Sequence, residues 1–152
     1  MKGIIIGLVL ITSLILAYKI YFKTKNKTQY FSEILRFLDF VSGEISFMKT
    51  DIISVVFKFE AKNFALKTDL KNFVAALQGG KLKDFKTFDD DFKVFLDNLG
   101  RADLIREQEK IEVAKKLFSA KLGEEEKYLA TSAQSYSKLC IIIGVAVAII
   151  LV

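Results

Sequence analysis

Apolar residues are continuous at both ends of this chain and recur every third or fourth position between them. Residues 3–18 and 139–152 hold no charged side chain. A segment that is apolar on every face has no side to offer water, and it suits hydrocarbon better than a soluble core. At a rise of about 1.5 Å per residue, crossing a ~30 Å hydrocarbon layer takes about 20 residues. Residues 3–22 reach that length if Lys19 snorkels to the interface, with Tyr18, Tyr21 and Phe22 at headgroup level. The run closes on Tyr18-Lys19-Ile20-Tyr21, without the small residues of a cleavage site, so an uncleaved anchor is expected instead of a secretory signal. Residues 139–152 are shorter and complete a span when 133–137 are added and Lys138 snorkels. The expected organisation is a transmembrane helix over 1–22, a soluble helical bundle over 23–138 and a second transmembrane helix over 139–152.

Within the middle, Phe31, Ile34, Leu38, Val41, Ile45, Met48 and Ile52 alternate spacings of three and four, the seam of a helix packed on other helices. Phe37 and Phe40 widen that seam. No breaker separates it from the first apolar segment, so a single helix of roughly 45 residues is expected. Residues 51–62 contain Ile52, Ile53, Val55, Val56 and Phe57, a composition open to helix or strand; the helical pattern on both sides favours a short helix capped by Thr50 or Asp51. Leu66, Leu70, Phe73, Val74 and Leu77 predict a helix ending at Gly79-Gly80. Phe85, Phe88, Phe92, Phe95 and Leu99 predict another ending at Gly100. Asp103 is placed to cap the last one, whose stripe of Ile111, Ala114, Phe118, Leu122, Leu129, Ala133 and Tyr136 runs into the second apolar segment. The fold class is all-α: two transmembrane helices flanking a cytoplasmic antiparallel helical bundle, with Phe31, Phe85, Phe88, Phe92, Phe95 and Phe118 as its expected core.

Charge sets the orientation. Lys19, Lys23, Lys25 and Lys27 crowd the inner flank of the first span, and Lys127 and Lys138 precede the second. Basic residues stay on the cytoplasmic side, so the bundle is expected there with both termini across the membrane. Lys19, Lys23, Lys25, Lys27 and Lys138 are the membrane-interface residues, where each adds about 1 kcal/mol of attraction to anionic lipid. The net charge of +5 is mild, and membrane lipid explains the lysines better than nucleic acid does.

Composition also limits chemistry. The chain has no histidine, and its one cysteine, Cys140, lies in the second apolar segment. Imidazole-based metal sites and general bases are therefore excluded. Gly79-Gly80-Lys81 lacks the rest of a phosphate-binding loop. Asp89-Asp90-Asp91 lacks the alternate spacing and glycine turn of a calcium loop and reads as a solvated helix face. No catalytic, cofactor or metal site is expected. Gly3 and Gly7 offer a small-residue face on which spans could pair, in a homo-oligomer for instance.

Leu35–Ile45 (LRFLDFVSGEI) and Phe95–Ile111 (FLDNLGRADLIREQEKI) resemble the stage III sporulation protein AB family of endospore-forming bacteria. Glu44-Ile45, Phe95, Leu99-Gly100, Asp103 and Gln108 stand where that family has its like residues, and Lys138-Leu139 with the tail to Val152 is similar to its membrane-bound end. The chain departs from the family in lacking a proline after the first span, over 60–93, and in its shorter length. The resemblance implies a part of the channel joining mother cell and forespore, in the mother-cell membrane around the forespore. It also implies a likeness to the cytoplasmic helical domain of type II secretion and type IV pilus platform proteins. The partners so implied are a cytoplasmic secretion-type ATPase and the channel's membrane subunits, with Glu44, Asp103 and Gln108 as partner-binding residues. Each has a plainer role open to it: a boundary salt bridge for Glu44, an N-cap for Asp103, a hydrogen bond between helices for Gln108. The function expected is a non-enzymatic membrane scaffold of a secretion-like channel needed for endospore formation. A regulatory or lytic small membrane protein unrelated to sporulation is the alternative.

Overall fold

Proline is absent from the chain, and long uninterrupted helices follow. The computed structural model describes residues 2–47, 52–79, 85–101 and 103–151. Their regular structure is helical throughout: α1 (Lys2–Phe47), α2 (Ile52–Lys58), α3 (Phe64–Gln78), α4 (Asp90–Asn98), α5 (Leu104–Tyr128) and α6 (Gln134–Leu151). One π-helical turn, Leu129–Ala133, joins α5 to α6. Helix α1 has 46 residues, the single helix that the unbroken periodicity predicts. The chain divides into a terminal unit (1–28 and 122–152) and a middle unit (29–121).

The middle unit is built on one face of α1. Tyr30, Phe31, Ile34, Phe37, Leu38 and Val41 are each at most 2% exposed. Against them lie Leu66 and Phe73 of α3, Phe92 and Leu96 of α4, and Ile111 and Phe118 of α5, all buried. Phe92 is central, with its ring centroid 5.9 Å from Phe118, 6.1 Å from Phe37 and 6.3 Å from Tyr30. These three contacts are edge-to-face, the arrangement the ring quadrupole favours.

Two of the six expected core phenylalanines are placed otherwise. Phe88 is 55% exposed and Phe95 is half-buried. The reason is where α4 begins. Asp89 caps it, accepting from the Phe92 N–H at 3.1 Å, so residues 85–88 precede the helix and its period does not extend back through them. Inside α4 the buried pair is Phe92 and Leu96, one turn apart. Phe85 is buried from outside the helix, against Phe73 at 5.7 Å. Asp89 is correspondingly a cap and not part of a solvated helix face. Gly100 follows α4 with φ of 78°, a left-handed turn open to a residue without Cβ.

The expected helix over 51–62 is realised only to Lys58, and its expected cap at Thr50 or Asp51 lies outside the described residues. Residues 59–62 are held to α1 by side chains instead. Arg36 donates to the Glu60 carbonyl at 2.6 Å, the Lys62 N–H donates to Glu33 at 3.0 Å, and Arg36 lies over the Phe59 ring at 4.9 Å. Asn63 then caps α3, accepting from the Ala65 N–H at 2.9 Å and the Leu66 N–H at 3.3 Å. The helix ends at Gly79, whose N–H reaches the Ala75 carbonyl at 2.9 Å.

In the terminal unit, the first part of α1 runs antiparallel to the end of the chain. Lys27 pairs with Glu125, the Ser137 hydroxyl donates to the Ala17 carbonyl at 3.1 Å, and Ser13 lies against Gly144. Ser137, one turn after the buried Ala133, meets α1 in place of the expected Tyr136. Tyr136 is 54% exposed.

Candidate functional site

Small side chains make the seam of the terminal unit. Ala17, Thr24, Ala133 and Gly144 are buried. The large apolar side chains point outward: Ile4, Leu8, Ile11 and Ile15 of α1 and Ile142, Ile143, Ile149 and Ile150 of α6 are all exposed. Among the described residues one helix, α1, is long and apolar enough to cross a membrane. At Gly7 an added Cβ would meet nothing within 4 Å, so the close-packing glycine of this unit is Gly144. Cys140 is a half-buried free thiol.

Next to the apolar stretch of α1 stands a collar of bases and rings. Tyr18 and Phe22 stack at 5.5 Å between centroids, and together with Lys19 and Lys23 they line a shallow hollow of about 440 Å³. Lys19, Lys23, Lys25 and Lys138 are exposed. Lys27 is half-buried and its charge is matched by Glu125, which sets it apart from the other expected interface lysines.

The partner-binding residues drawn from the resemblance fall into separate settings. Glu44 accepts from Lys58 at 3.1 Å, joining α1 to α2. Asp103 caps α5: its carboxylate accepts from the Arg106 N–H at 2.9 Å and its carbonyl from the Glu107 N–H at 2.9 Å. Gln108 is half-buried in the second turn of α5.

Sequence reasoning missed two polar clusters in the middle unit. The first centres on Lys121, which donates to both oxygens of Asp89 at 2.9 and 2.8 Å and pairs with Asp91 at 2.6 Å. Its ammonium also lies 5.6 Å and 5.5 Å from the ring centroids of Phe31 and Phe118. Burial alone would lower the Lys121 pKa, but the hydrogen bonds and charges of the two aspartates outweigh it and leave the pKa raised. The second is Tyr30 with Asp69. The fully buried Tyr30 hydroxyl donates to Asp69 at 2.6 Å, and the Phe88 N–H donates to the same carboxylate at 3.1 and 3.2 Å. Burial raises the Asp69 pKa against the opposing pull of these hydrogen bonds, and nearby Asp89 adds to the rise. Burial, then Asp69, push the Tyr30 phenol far above its ordinary range. Both clusters tie α4 and the segment before it to the rest of the middle unit. The acids of the first cluster belong to the aspartate run that the sequence reads as a solvated face.

Among the described residues no group of three or more acid, cysteine or histidine side chains could hold a metal ion. Comparison with protein-family models, with curated proteins and with solved structures finds no match to the chain.

Proposed function

We propose that the chain is a membrane-anchored, non-enzymatic scaffold that holds the helical middle unit against the cytoplasmic face for other proteins to dock on. In this reading α1 makes one crossing and α6, with the residues leading into it, makes a second. The observation that carries it is the inverted packing of the terminal unit. A water-soluble helix pair buries its large apolar side chains between the helices, because that removes most surface from water. Here the seam is made of Ala17, Ala133 and Gly144 while isoleucines and leucines face outward. That is the arrangement expected in lipid, where small residues let helices approach and large ones meet acyl chains.

The resemblance to the stage III sporulation protein AB family carries the reading further, to a secretion-like channel of endospore formation. Its partners are then the channel's membrane subunits and a secretion-type cytoplasmic ATPase. The exposed lysines beside the apolar stretches support a cytoplasmic middle unit.

The test uses a Cys140→Ser background with single cysteines introduced as Lys2→Cys, Lys71→Cys or Ile150→Cys. A membrane-impermeant maleimide applied to intact cells should label the first and third, and the second only after permeabilisation. Labelling of Lys71→Cys from outside would reverse the topology and remove any cytoplasmic partner. Co-purification of the full chain with a secretion-type ATPase of the same cell tests the docking role, and a folded, membrane-embedded chain that retains none would end it.

A further inference from the structure

The middle unit carries an open trough of about 720 Å³ between α2 and α3. Its apolar lining comes from Val56 and Phe57 on one side and Leu70 and Val74 on the other; Phe57 is the exposed one, and the other three form a largely buried floor. Phe57 is 68% exposed and stands at the rim of the trough. Along α3 the lining residues run from Lys67 to Gln78 at helical spacing, about three turns, or roughly 16 Å. The trough is therefore linear and matches a short helix in length.

Its charge is one-sided. Among the described residues, Lys58, Lys67 and Lys71 stand on the lining against a single carboxylate, Glu60. Lys58 is partly neutralised by Glu44 at 3.1 Å. Lys67 and Lys71 are exposed, lie one turn apart on α3, and form no ion pair among the described residues. Elsewhere in this unit lysines at the edge of apolar surface are matched by acids, as Lys121 is by Asp89 and Asp91 and Lys115 by Asp39 and Glu112.

The geometry points to this trough as the docking site for an acidic amphipathic helix of a partner protein. Its apolar stripe rests on Phe57, Leu70 and Val74, and its carboxylates face Lys67 and Lys71. Recognition is of the helix-in-groove kind: apolar anchors at helical spacing supply the affinity, and the unmatched ammonium groups choose the sign of the partner. The inference deepens the scaffold reading by giving it a surface, and it rests on that reading only for the need of a partner.

The probe is a fluorescent stapled peptide of about fourteen residues, with leucines at helical spacing and glutamates on its flanks, and a twin carrying lysine for every glutamate. Anisotropy is measured against the full chain in phosphatidylcholine nanodiscs, with empty nanodiscs as the blank. The acidic peptide should bind at least about tenfold more tightly than its twin, and Lys67→Glu with Lys71→Glu should invert that preference. Phe57→Ser should weaken the acidic peptide about tenfold with its sign preference intact. Both lysines are exposed, so helicity by circular dichroism should not change; if it does, Lys67→Gln with Lys71→Gln replaces the reversal and should abolish the preference. Equal binding of the two peptides, indifference to the lysine substitutions, or occupation of the trough by a second copy (a dimer dispersed by Lys71→Glu, with no peptide bound) would overturn the proposal. A chain that stays out of membranes defeats the scaffold reading whatever the peptides do. A membrane-embedded chain blind to peptide charge defeats only the trough.

Discussion

Gly144 lies so close to Ser13 that a Cβ on the glycine would sit 2.2 Å from the serine hydroxyl oxygen and 2.5 Å from its Cβ. The hydroxyl can turn away about χ1, but the Ser13 Cβ is fixed to its backbone, so Gly144→Ala must separate the helices. Ser13→Gly removes both obstructing atoms. The single substitution is expected to lower the melting temperature of the purified chain in detergent, and the double variant to recover most of the loss. An alanine variant as stable as the parent would mean the seam does not form in the folded protein.

Phe92 and Phe88 make opposite demands on the core although both continue one sequence stripe. Phe92 is fully buried among four rings, and Phe92→Ala should cost about 3–5 kcal/mol. Phe88 touches Tyr30 at 4.7 Å but is mostly exposed, so Phe88→Ala should cost about 1 kcal/mol or less. Thermal unfolding followed by circular dichroism separates the two. Equal losses would return Phe88 to the core the spacing predicts.

That pair marks how far the sequence could be read. Long stripes were legible because many residues vote for one face: Phe31 to Val41 predicted the buried side of α1, and Asp103 its cap on α5. What escaped was decided by a single local event. Asp89 opens α4 at a point the phenylalanine period runs straight through, and Asn63 opens α3 where composition gives only a polar residue. The π-helical turn at Leu129–Ala133 comes without any proline or glycine to announce it. Lys121 and Asp89 are far apart in sequence, so their pairing carries no periodic signature at all. The same holds for the trough, since Lys67 and Lys71 read as ordinary solvated positions until α2 is laid beside them.

Lys121→Met keeps the apolar stem and deletes the charge that bridges Asp89 and Asp91. The pair with Asp89 is three-quarters or more shielded at both ends, whereas Asp91 is half-exposed. An expected loss of about 1–2 kcal/mol follows from leaving Asp89 with its helix cap alone. Because the Lys121 pKa is raised on folding, its stabilising share is fully present below the ordinary lysine value of about 10.5 and fades as pH rises through the higher folded value. The parent and Lys121→Met should therefore converge in melting temperature at strongly alkaline pH. A constant gap across that range would place the effect in packing.

Asp69 titrates with the opposite consequence from a surface carboxylate. Its folded pKa is raised by burial, so the protonated form is the one folding favours. The resulting contribution is fully present below about pH 4 and is lost as pH climbs through the raised folded value. Asp69→Asn cannot ionise, so the melting temperature of the parent minus that of the variant should fall as pH rises from about 4 through the raised folded value. Tyr30→Phe removes a hydrogen bond that stabilises the carboxylate, and should cost about 1–3 kcal/mol with the larger loss toward neutral pH. A difference that grows with pH for Asp69→Asn would contradict the buried setting of this group.

Asp103 separates a structural role from a partner role by choice of substitution. Its carboxylate accepts from the Arg106 N–H at 2.9 Å while its side chain is 66% exposed, so it caps α5 and is open to another protein at once. Asp103→Ala removes cap and charge together and should cost about 1 kcal/mol. Asp103→Ser keeps a capping oxygen and removes only the charge, and its stability should match the parent within a few tenths of a kcal/mol. If the carboxylate also meets the ATPase, the serine variant should co-purify with it less well despite that stability. Retention of the ATPase by Asp103→Ser at the parental level would leave the residue as a helix cap alone.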